Sequence, residues 1–245
     1  MFSNTFLTAN WRNLIMVNYA IDAAILEKYL PKGTELDLFE GRCYVSVVGF
    51  LFLNTKVLGI GFPFHRNFEE VNLRFYVKYR HPTEGVRRGV VFIKEIVPKA
   101  MITLVANTLY NENYQTLKTK NEISETPNSL IIKYLWQYKK HWNSLSVEAE
   151  KEKAFALPDS EAQFITEHYW GYAGGRDVET TEYQVQHPSW YIHKVKKFSI
   201  DCDFEKLYGE AFSFLSNAEP TSVFLAEGSD ISVLKGKKIF FTEGS

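Results

Sequence analysis

The sequence predicts a single α+β domain, mainly antiparallel β, over residues 1–245. Hydrophobic residues make up 45% of the chain and aromatic residues 16%, enough to build a large core. Many short segments alternate as strands do, and only a few helical segments lie between them. No repeat, low-complexity tract or Pro/Gly/Ser-rich linker divides the chain. These observations favour an antiparallel barrel or sandwich with a few short helices over a Rossmann-type sheet.

The best-defined part of the sequence is a strand, a turn, a second strand and a helix. Residues 70–80 alternate between an apolar and a polar set, as in a strand with two different faces. Gly85 predicts a turn into a strand at residues 88–97, and Pro98 predicts the start of a helix. Upstream, residues 44–53 are apolar on both alternating faces, so we expect a strand buried on both sides.

The remaining elements are predicted from caps and from alternation. Asp22, Ser160 and Asp203 are predicted helix N-caps, and Ser160 with Gln163 resembles a capping box. Further strands are predicted at residues 130–138, 183–186, 190–200, 222–226 and 231–241.

Composition excludes several classes of function. Lys plus Arg number 28 and Asp plus Glu 29, so the net charge of -1 does not favour nucleic-acid binding, and no segment indicates a basic surface strongly. Cys43 and Cys202 are far apart and form no CxxC pair, which favours two reduced thiols over a disulfide or a zinc site. Residues 1–11 lack the pattern of a signal peptide, and no run is long enough for a membrane helix. We therefore expect a cytoplasmic protein.

The densest polar cluster begins at residue 65 and continues into the alternating strand. Its polar face carries an acid, an amide, a guanidinium and a phenol. If that face points into a barrel, Glu70 is a candidate acid or base, Arg74 a candidate carboxylate anchor, and Tyr76 a candidate for polarising an oxygen. If it faces water, the same residues form ordinary cross-strand ion pairs. The cluster is completed by His65, Arg66 and Asn72 as candidate ligand-binding residues.

Some lysines and histidines are weaker candidates for an amine nucleophile or for metal ligands. Lys94 and Lys99 flank the end of a strand, where a desolvated amine can attack a carbonyl, although solvated lysines are commoner there. His187 and His193 lie near each other in sequence but lack the spacing of a metal motif, so no metal site is predicted. The glycines of residues 171–175 are interpreted as turn residues.

Seven segments together resemble the YqjF-like family of bacterial proteins, a domain of unknown function (DUF2071), and the resemblance spans nearly the whole chain. The most distinctive is HRNFEEVNLRFYV at residues 65–77. The others are FLTANWRNL (6–14), LPKGTELDL (30–38), YVSVVGF (44–50), GVVFIKEIVP (89–98), HPSWY (187–191) and VFLAEG (223–228).

That family is in turn remotely similar in fold to acetoacetate decarboxylase. The resemblance implies a cone-like antiparallel barrel with a central cavity, and Glu70 at the position of a cavity glutamate. The decarboxylases use a lysine pair after the helix to form a Schiff base, but residues 106–115 contain no lysine, and Lys118 is out of step. The resemblance therefore implies a cavity without the amine nucleophile, with Tyr110, Glu112 and Tyr114 at the helix end.

Two hypotheses follow for function. The first is a protein that binds a small polar or carboxylate ligand without breaking a bond. The second is an enzyme of lyase or hydrolase type that acts on a small keto acid or carboxylate, with Glu70 as acid or base and Arg74 as anchor. Neither requires a cofactor, a nucleic acid or a membrane, and a homodimer is compatible with both.

Overall fold

The computed structural model describes residues 4–100, 103, 107, 112–174 and 179–241, and its architecture is mainly antiparallel β. Three short helices lie wholly within the described ranges: α1 (Ala23–Glu27), α2 (Glu161–Thr166) and α3 (Phe204–Tyr208), the last followed by a 3-10 helix at Glu210–Ser216. The strands are β1 (Thr5–Ile21), β2 (Thr34–Leu36), β3 (Cys43–Val57), β4 (Phe68–His81), β5 (Gly85–Val97), β6 (Tyr114–Thr116), β7 (Lys118–Glu125), β8 (Ser129–Tyr138), β9 (His141–Phe155), β10 (Trp170–Gly174), β11 (Glu179–Gln186), β12 (Tyr191–Asp201), β13 (Ser222–Ala226), β14 (Asp230–Leu234) and β15 (Lys237–Phe240).

Seven of these strands close into a ring. Their order is β14-β11-β10-β5-β4-β3-β1, and β14 returns to β1 with Ala9 opposite Ile231. The pairings in the ring are antiparallel except that of β5 with β10. From β1 the sheet continues through β13-β12-β9-β8-β7 as a second layer. Closure leaves an interior lined by one face of each ring strand.

Two apolar cores explain why the central strands are apolar on both faces. On β1, Ile15 and Val17 belong to the core between the ring and the second layer, whereas Leu14 and Met16 belong to the core inside the ring. The outer core includes Trp136 of β8, which is fully buried. Strands shared by two cores read as continuous apolar runs, as residues 44–53 do.

The predicted helix caps form. Asp22 accepts a hydrogen bond from Ala24 N (3.0 Å), Ser160 from Gln163 N (3.2 Å), and Asp203 from Lys206 N (3.1 Å). The helix predicted after Pro98 falls mostly on residues outside the described ranges.

Several predicted elements differ in the structure. The segment at residues 231–241 contains two strands, β14 and β15, because the chain leaves β1 and then pairs with β11. Gly171 and Gly174 lie in β10 and are not turn residues. Strands β1, β2, β6, β7, β9 and β10 were not predicted. Strand β7 and the second half of β9 are largely exposed and carry charged residues without apolar alternation. Within the described part of the chain, no helix is long and apolar enough to cross a membrane.

Candidate functional site

A cavity of about 190 Å³ lies inside the ring. Its lining divides into an aromatic and aliphatic wall and a cluster of polar groups. The apolar wall includes Phe6, Leu7, Trp11, Phe50, Phe52, Phe68, Val90, Phe92, Trp170, Val185, Trp190 and Val233. The polar lining includes Glu70, Asn72, Arg74, Glu95, Glu112, Tyr114, His168 and Tyr183.

Strand β4 contributes three neighbouring polar groups because side chains of a strand alternate between its faces. Glu70, Asn72 and Arg74 line the cavity. Val71 and Leu73, between them, are fully buried in the outer core. The polar face of β4 therefore points into the ring.

An irregularity in the pairing of β4 with β5 decides which β5 side chains reach the cavity. Leu73 lies opposite Lys94, but the next residue, Arg74, lies opposite Phe92, so β5 carries one extra residue there. Glu95 lines the cavity, whereas the Lys94 ammonium group donates to the backbone oxygen of Leu207 on the opposite side of the sheet. The bulge thus supplies a carboxyl group to the cavity and directs the amine away from it.

Hydrogen bonds fix the carboxyl groups of the cavity. Asn72 Nδ2 donates to Glu70 Oε1 (2.9 Å), and the Tyr114 hydroxyl donates to Glu70 Oε2 (3.2 Å). The Tyr183 hydroxyl donates to Glu112 Oε1 (2.7 Å). Gly171 makes room for the Tyr183 ring, since a Cβ there would lie 2.1 Å from Tyr183 Cζ.

The three cavity glutamates hold their protons unusually tightly. Burial raises the pKa of Glu70 to about 7 and that of Glu112 to about 8. Burial also raises the pKa of Glu95 well above its usual value, and repulsion from Glu112 and Glu70 adds to the effect. Near neutral pH the cavity therefore contains protonated carboxyl groups, which can donate hydrogen bonds.

Arg74 is a buried cation with no counter-ion in the part of the chain that the structure describes. Its side chain is only 8% exposed, its Nε has no hydrogen-bond partner, and among the described residues no carboxylate lies within ion-pair distance. The nearest aromatic face is that of Tyr76, whose ring centroid lies 5.8 Å from Arg74 Cζ. A guanidinium in this position presents paired donors that match a carboxylate.

A second polar group of the lining comes from an Asp–His pair. His168 follows α2, and its Nε2 lies 3.1 Å from Asp37 Oδ2. The same oxygen accepts from Arg88 Nε (2.6 Å). His168 is buried against the rings of Tyr76 (4.7 Å between centroids) and Phe164 (5.0 Å). Burial lowers its pKa to about 4, so the imidazole is neutral at physiological pH.

The predicted site residues are distributed unequally around the cavity. Tyr76 lies on the same face of β4 as Arg74 but is not part of the lining. Its hydroxyl is hydrogen-bonded to Ser46 Oγ (2.7 Å). His65 lines the cavity and is half-buried, while Arg66 is exposed outside the lining, with Nη2 3.4 Å from Asn54 Oδ1. Tyr110 lies outside the described residues.

No lysine lines the cavity, and every lysine of the chain lies within the described ranges. Lys99 is half-buried and Lys118 is exposed, and neither belongs to the lining. The arrangement therefore offers no lysine amine for a Schiff base.

The two histidines considered as metal ligands serve different environments. His187 lines the cavity with its ring stacked on Trp190 (4.2 Å between centroids), whereas His193 Nδ1 bonds to the backbone oxygen of Glu150 (2.9 Å). In the part of the chain that the structure describes, no group of His, Cys, Asp and Glu side chains is arranged to hold a metal ion.

Among the lining or supporting residues that the sequence did not indicate, four belong to the polar groups described above: Asp37, Glu95, His168 and Tyr183. The sequence places Glu95 next to Lys94 but does not predict that it faces the cavity, because the sequence pattern of β5 does not reveal the bulge. Asp37 and His168 are 131 residues apart and meet only through the fold. Tyr183 was assigned to a strand, but nothing in its sequence indicates that it faces the cavity.

Solved structures with this architecture are acetoacetate decarboxylase-like, and this fold class is shared by the chain. Acetoacetate decarboxylase from Legionella pneumophila is 13% identical with a TM-score of 0.64, covering 96% of this chain and 87% of that chain. An acetoacetate decarboxylase-like enzyme from Sphingomonas wittichii RW1 is 11% identical with a TM-score of 0.65, covering 98% and 96%. The enduracididine biosynthesis enzyme MppR, solved with pyruvate, is 12% identical with a TM-score of 0.65, covering 100% and 93%.

Within that fold class the chain belongs to DUF2071, a family described as an uncharacterised conserved protein, whose family model matches residues 8–230. It is similar to the uncharacterised protein YqjF of Bacillus subtilis (strain 168), with 25% identity over 199 residues, covering 76% of this chain and 74% of YqjF.

Proposed function

We propose that this protein binds a small carboxylate non-covalently inside the ring, with Arg74 as the charged partner of the ligand. The observation that carries the proposal is the buried Arg74 guanidinium, which lines the cavity and has no counter-ion among the described residues. Leaving a charge buried and unpaired costs several kcal/mol (roughly 3–5 for a broken buried pair). A ligand carboxylate would supply the missing partner.

The remaining lining supports a ligand with one polar and one apolar end. Protonated Glu70 and Glu112 can donate hydrogen bonds to carboxylate or carbonyl oxygens beside Arg74. Trp11, Phe50 and Trp190 present apolar surface for the rest of the molecule. A small aromatic or branched carboxylate suits this combination.

The absence of a lysine from the lining favours non-covalent binding over Schiff-base chemistry. MppR, which has the same fold, has been solved with pyruvate, and this supports a small keto acid or related carboxylate as the ligand class. We therefore expect borohydride treatment in the presence of pyruvate to leave the intact mass of the protein unchanged.

The proposal is tested by titration calorimetry with pyruvate, acetoacetate and 3-phenylpropionate. We expect at least one of them to bind wild type, and Arg74→Met to weaken it by about 10-fold to 150-fold, since a charge-assisted hydrogen bond contributes about 1.5–3 kcal/mol. Arg80→Met is the matched control, because Arg80 lies on the same strand but is exposed and paired with Glu35. Equal binding by the Arg74 and Arg80 variants would refute the proposal, as would no binding of any of the three acids to wild type.

Catalysis is the second candidate, favoured by the pKa of Glu70 at about 7, which suits a general acid or base at neutral pH. Glu70 would then remove and return protons on the carbon next to the ketone group of a keto acid held by Arg74. Proton NMR in D2O tests this reading: loss of the methyl signal of pyruvate that depends on wild-type protein and not on Glu70→Gln supports it. Exchange at the uncatalysed rate would mean that the protein binds the acid without catalysing this exchange.

A further inference from the structure

The Asp37–His168 pair adds a chemical requirement to the ligand. Asp37 has a lowered pKa, because hydrogen bonds from His168 and Arg88 favour its ionised form against the opposing effect of burial. His168 is neutral and carries one ring proton. The Nε2 of His168 faces the ionised Asp37 carboxylate, so this nitrogen carries the proton and donates it. The other ring nitrogen, Nδ1, is left as an acceptor.

Nothing in the described part of the chain uses that acceptor. The His168 side chain is 1% exposed, and its Nδ1 has no hydrogen-bond partner. Because the imidazole lines the cavity, a bound molecule is the natural partner for Nδ1. An unsatisfied buried acceptor costs about 1–3 kcal/mol, and a hydrogen bond from a bound molecule would offset this cost.

The His168 ring and the Arg74 guanidinium line the same cavity and share one neighbour, the Tyr76 ring. The Tyr76 ring lies 4.7 Å from the His168 ring centroid and 5.8 Å from Arg74 Cζ. Tyr76 is itself held by Ser46. Tyr76 is therefore a fixed neighbour of both polar groups.

We propose that His168 Nδ1 accepts a hydrogen bond from a hydroxyl group of the ligand, so that the ligand class is a hydroxycarboxylic acid with an apolar substituent. This inference rests on the proposed function, since Arg74 binds the carboxylate of the same molecule. Glu70, Glu95 and Glu112, when protonated, serve the ligand as donors, whereas His168 recognises a donor on the ligand. His168 thereby distinguishes a hydroxy acid from the same acid without its hydroxyl.

The test compares 3-phenyllactate with 3-phenylpropionate, which differ by one hydroxyl, using titration calorimetry. We expect the preferred enantiomer of 3-phenyllactate to bind wild type about fivefold to tenfold more tightly than 3-phenylpropionate, the value of one neutral hydrogen bond. In His168→Phe this ratio should fall to about one. A ratio that survives in His168→Phe, or equal affinities in wild type, would overturn the inference, as would no binding of either acid.

Two further variants separate the possible outcomes. Arg74→Met should weaken both acids and preserve their ratio. If the ratio is lost in His168→Phe but Arg74→Met binds both acids as wild type does, the proposed function fails and the hydroxyl contact stands. Asn72 Oδ1 is a rival buried acceptor without a partner, so loss of the ratio in Asn72→Leu with retention in His168→Phe would assign the hydroxyl to Asn72 instead.

A direct readout covers the case in which His168→Phe does not fold. Nitrogen-15 NMR of wild-type imidazoles should show His168 protonated at Nε2 alone at pH 7, with a change at Nδ1 on addition of 3-phenyllactate and not of 3-phenylpropionate. Protonation at Nδ1 in the free protein would contradict the proposal. Asp37→Asn should remove the preference for one tautomer, since an amide can either accept from or donate to Nε2.

Discussion

Two buried arginines on adjacent strands of the ring have opposite surroundings. Arg87 of β5 is 6% exposed, and its Nη1 donates to both carboxylate oxygens of Glu182 (2.8 and 2.7 Å). Its Nη2 donates to Glu84 (2.5 Å), and its Cζ lies 4.2 Å from the Trp170 ring centroid. Arg74 of β4 is buried to a similar degree with no ion pair among the described residues.

The difference separates a charge used by the fold from a charge available to a ligand. Glu182 is fully buried and also accepts from Tyr172 (3.0 Å), so the charge of Arg87 is paired within the protein, although its Nε, like that of Arg74, has no hydrogen-bond partner. Around Arg74 the nearby glutamates have raised pKa values, so they carry less negative charge at neutral pH than ordinary glutamates, and neither forms an ion pair with Arg74. The comparison predicts that Arg87 matters for stability and Arg74 for binding.

Breaking the Arg87 cluster should give the largest effect on stability. Glu182→Ala leaves Arg87 buried with only the exposed Glu84 as partner, so we expect a loss of about 3–5 kcal/mol of unfolding free energy. Urea denaturation measures it. Glu179→Ala on the same strand, which removes a pair with the exposed Lys238, should cost less than about 1 kcal/mol. Similar losses in the two variants would mean that the Arg87 cluster is not structural.

The cavity glutamates should make stability fall as pH rises. In the unfolded chain Glu112 loses its proton near its ordinary pKa of 4.5, whereas in the folded protein it keeps it up to about 8. The folded state therefore binds more protons between these values, and stability declines from pH 4.5 to about 8.

Glu112→Gln should remove part of this decline, because the amide cannot ionise and still accepts from Tyr183. At pH 8 the variant should be about 1–3 kcal/mol more stable than wild type, and at pH 4.5 about equal to it. Urea denaturation at several pH values measures the difference. Glu122→Gln, at an exposed position on β7, should reproduce the wild-type curve. A Glu112→Gln curve parallel to wild type would show that Glu112 ionises normally.

Arg66 should give the smallest effect, although it lies in the same sequence segment as Arg74. It is exposed and outside the cavity lining, so Arg66→Met should change both the unfolding free energy and the carboxylate affinity by less than about 0.5 kcal/mol. Urea denaturation and calorimetry with 3-phenylpropionate measure the two. A loss of affinity comparable to that of Arg74→Met would place the anion-binding group at the rim.

Much of the fold follows from local pattern, because alternation and helix caps are local signals. The sequence shows which side chains of residues 70–76 form the polar face of β4. It does not show whether that face points into the ring, since both faces of the strand are buried in the structure. Strand β9 was missed because Lys and Glu occupy much of its second half.

The site was only partly predictable because it depends on long-range geometry. A bulge decides that Glu95 faces inward while Lys94 faces outward, and no residue type marks it. The Asp37–His168 contact and the pairing of β1 with β14 both join segments more than 130 residues apart. Sequence therefore identifies Glu70 and Arg74 as candidates, while their companions require the closed ring.

The unfolding free energies of Arg74→Met and Arg87→Met, measured side by side in urea without ligand at pH 7, test the central claim most directly. We predict that Arg74→Met is as stable as wild type or about 1–2 kcal/mol more stable, because it removes an unpaired buried charge. Arg87→Met should lose about 3 kcal/mol or more, because Glu182 is left buried with only the exposed Lys237 as an ionic partner. Comparable losses in the two variants would contradict the account, since Arg74 would then be a structural cation like Arg87.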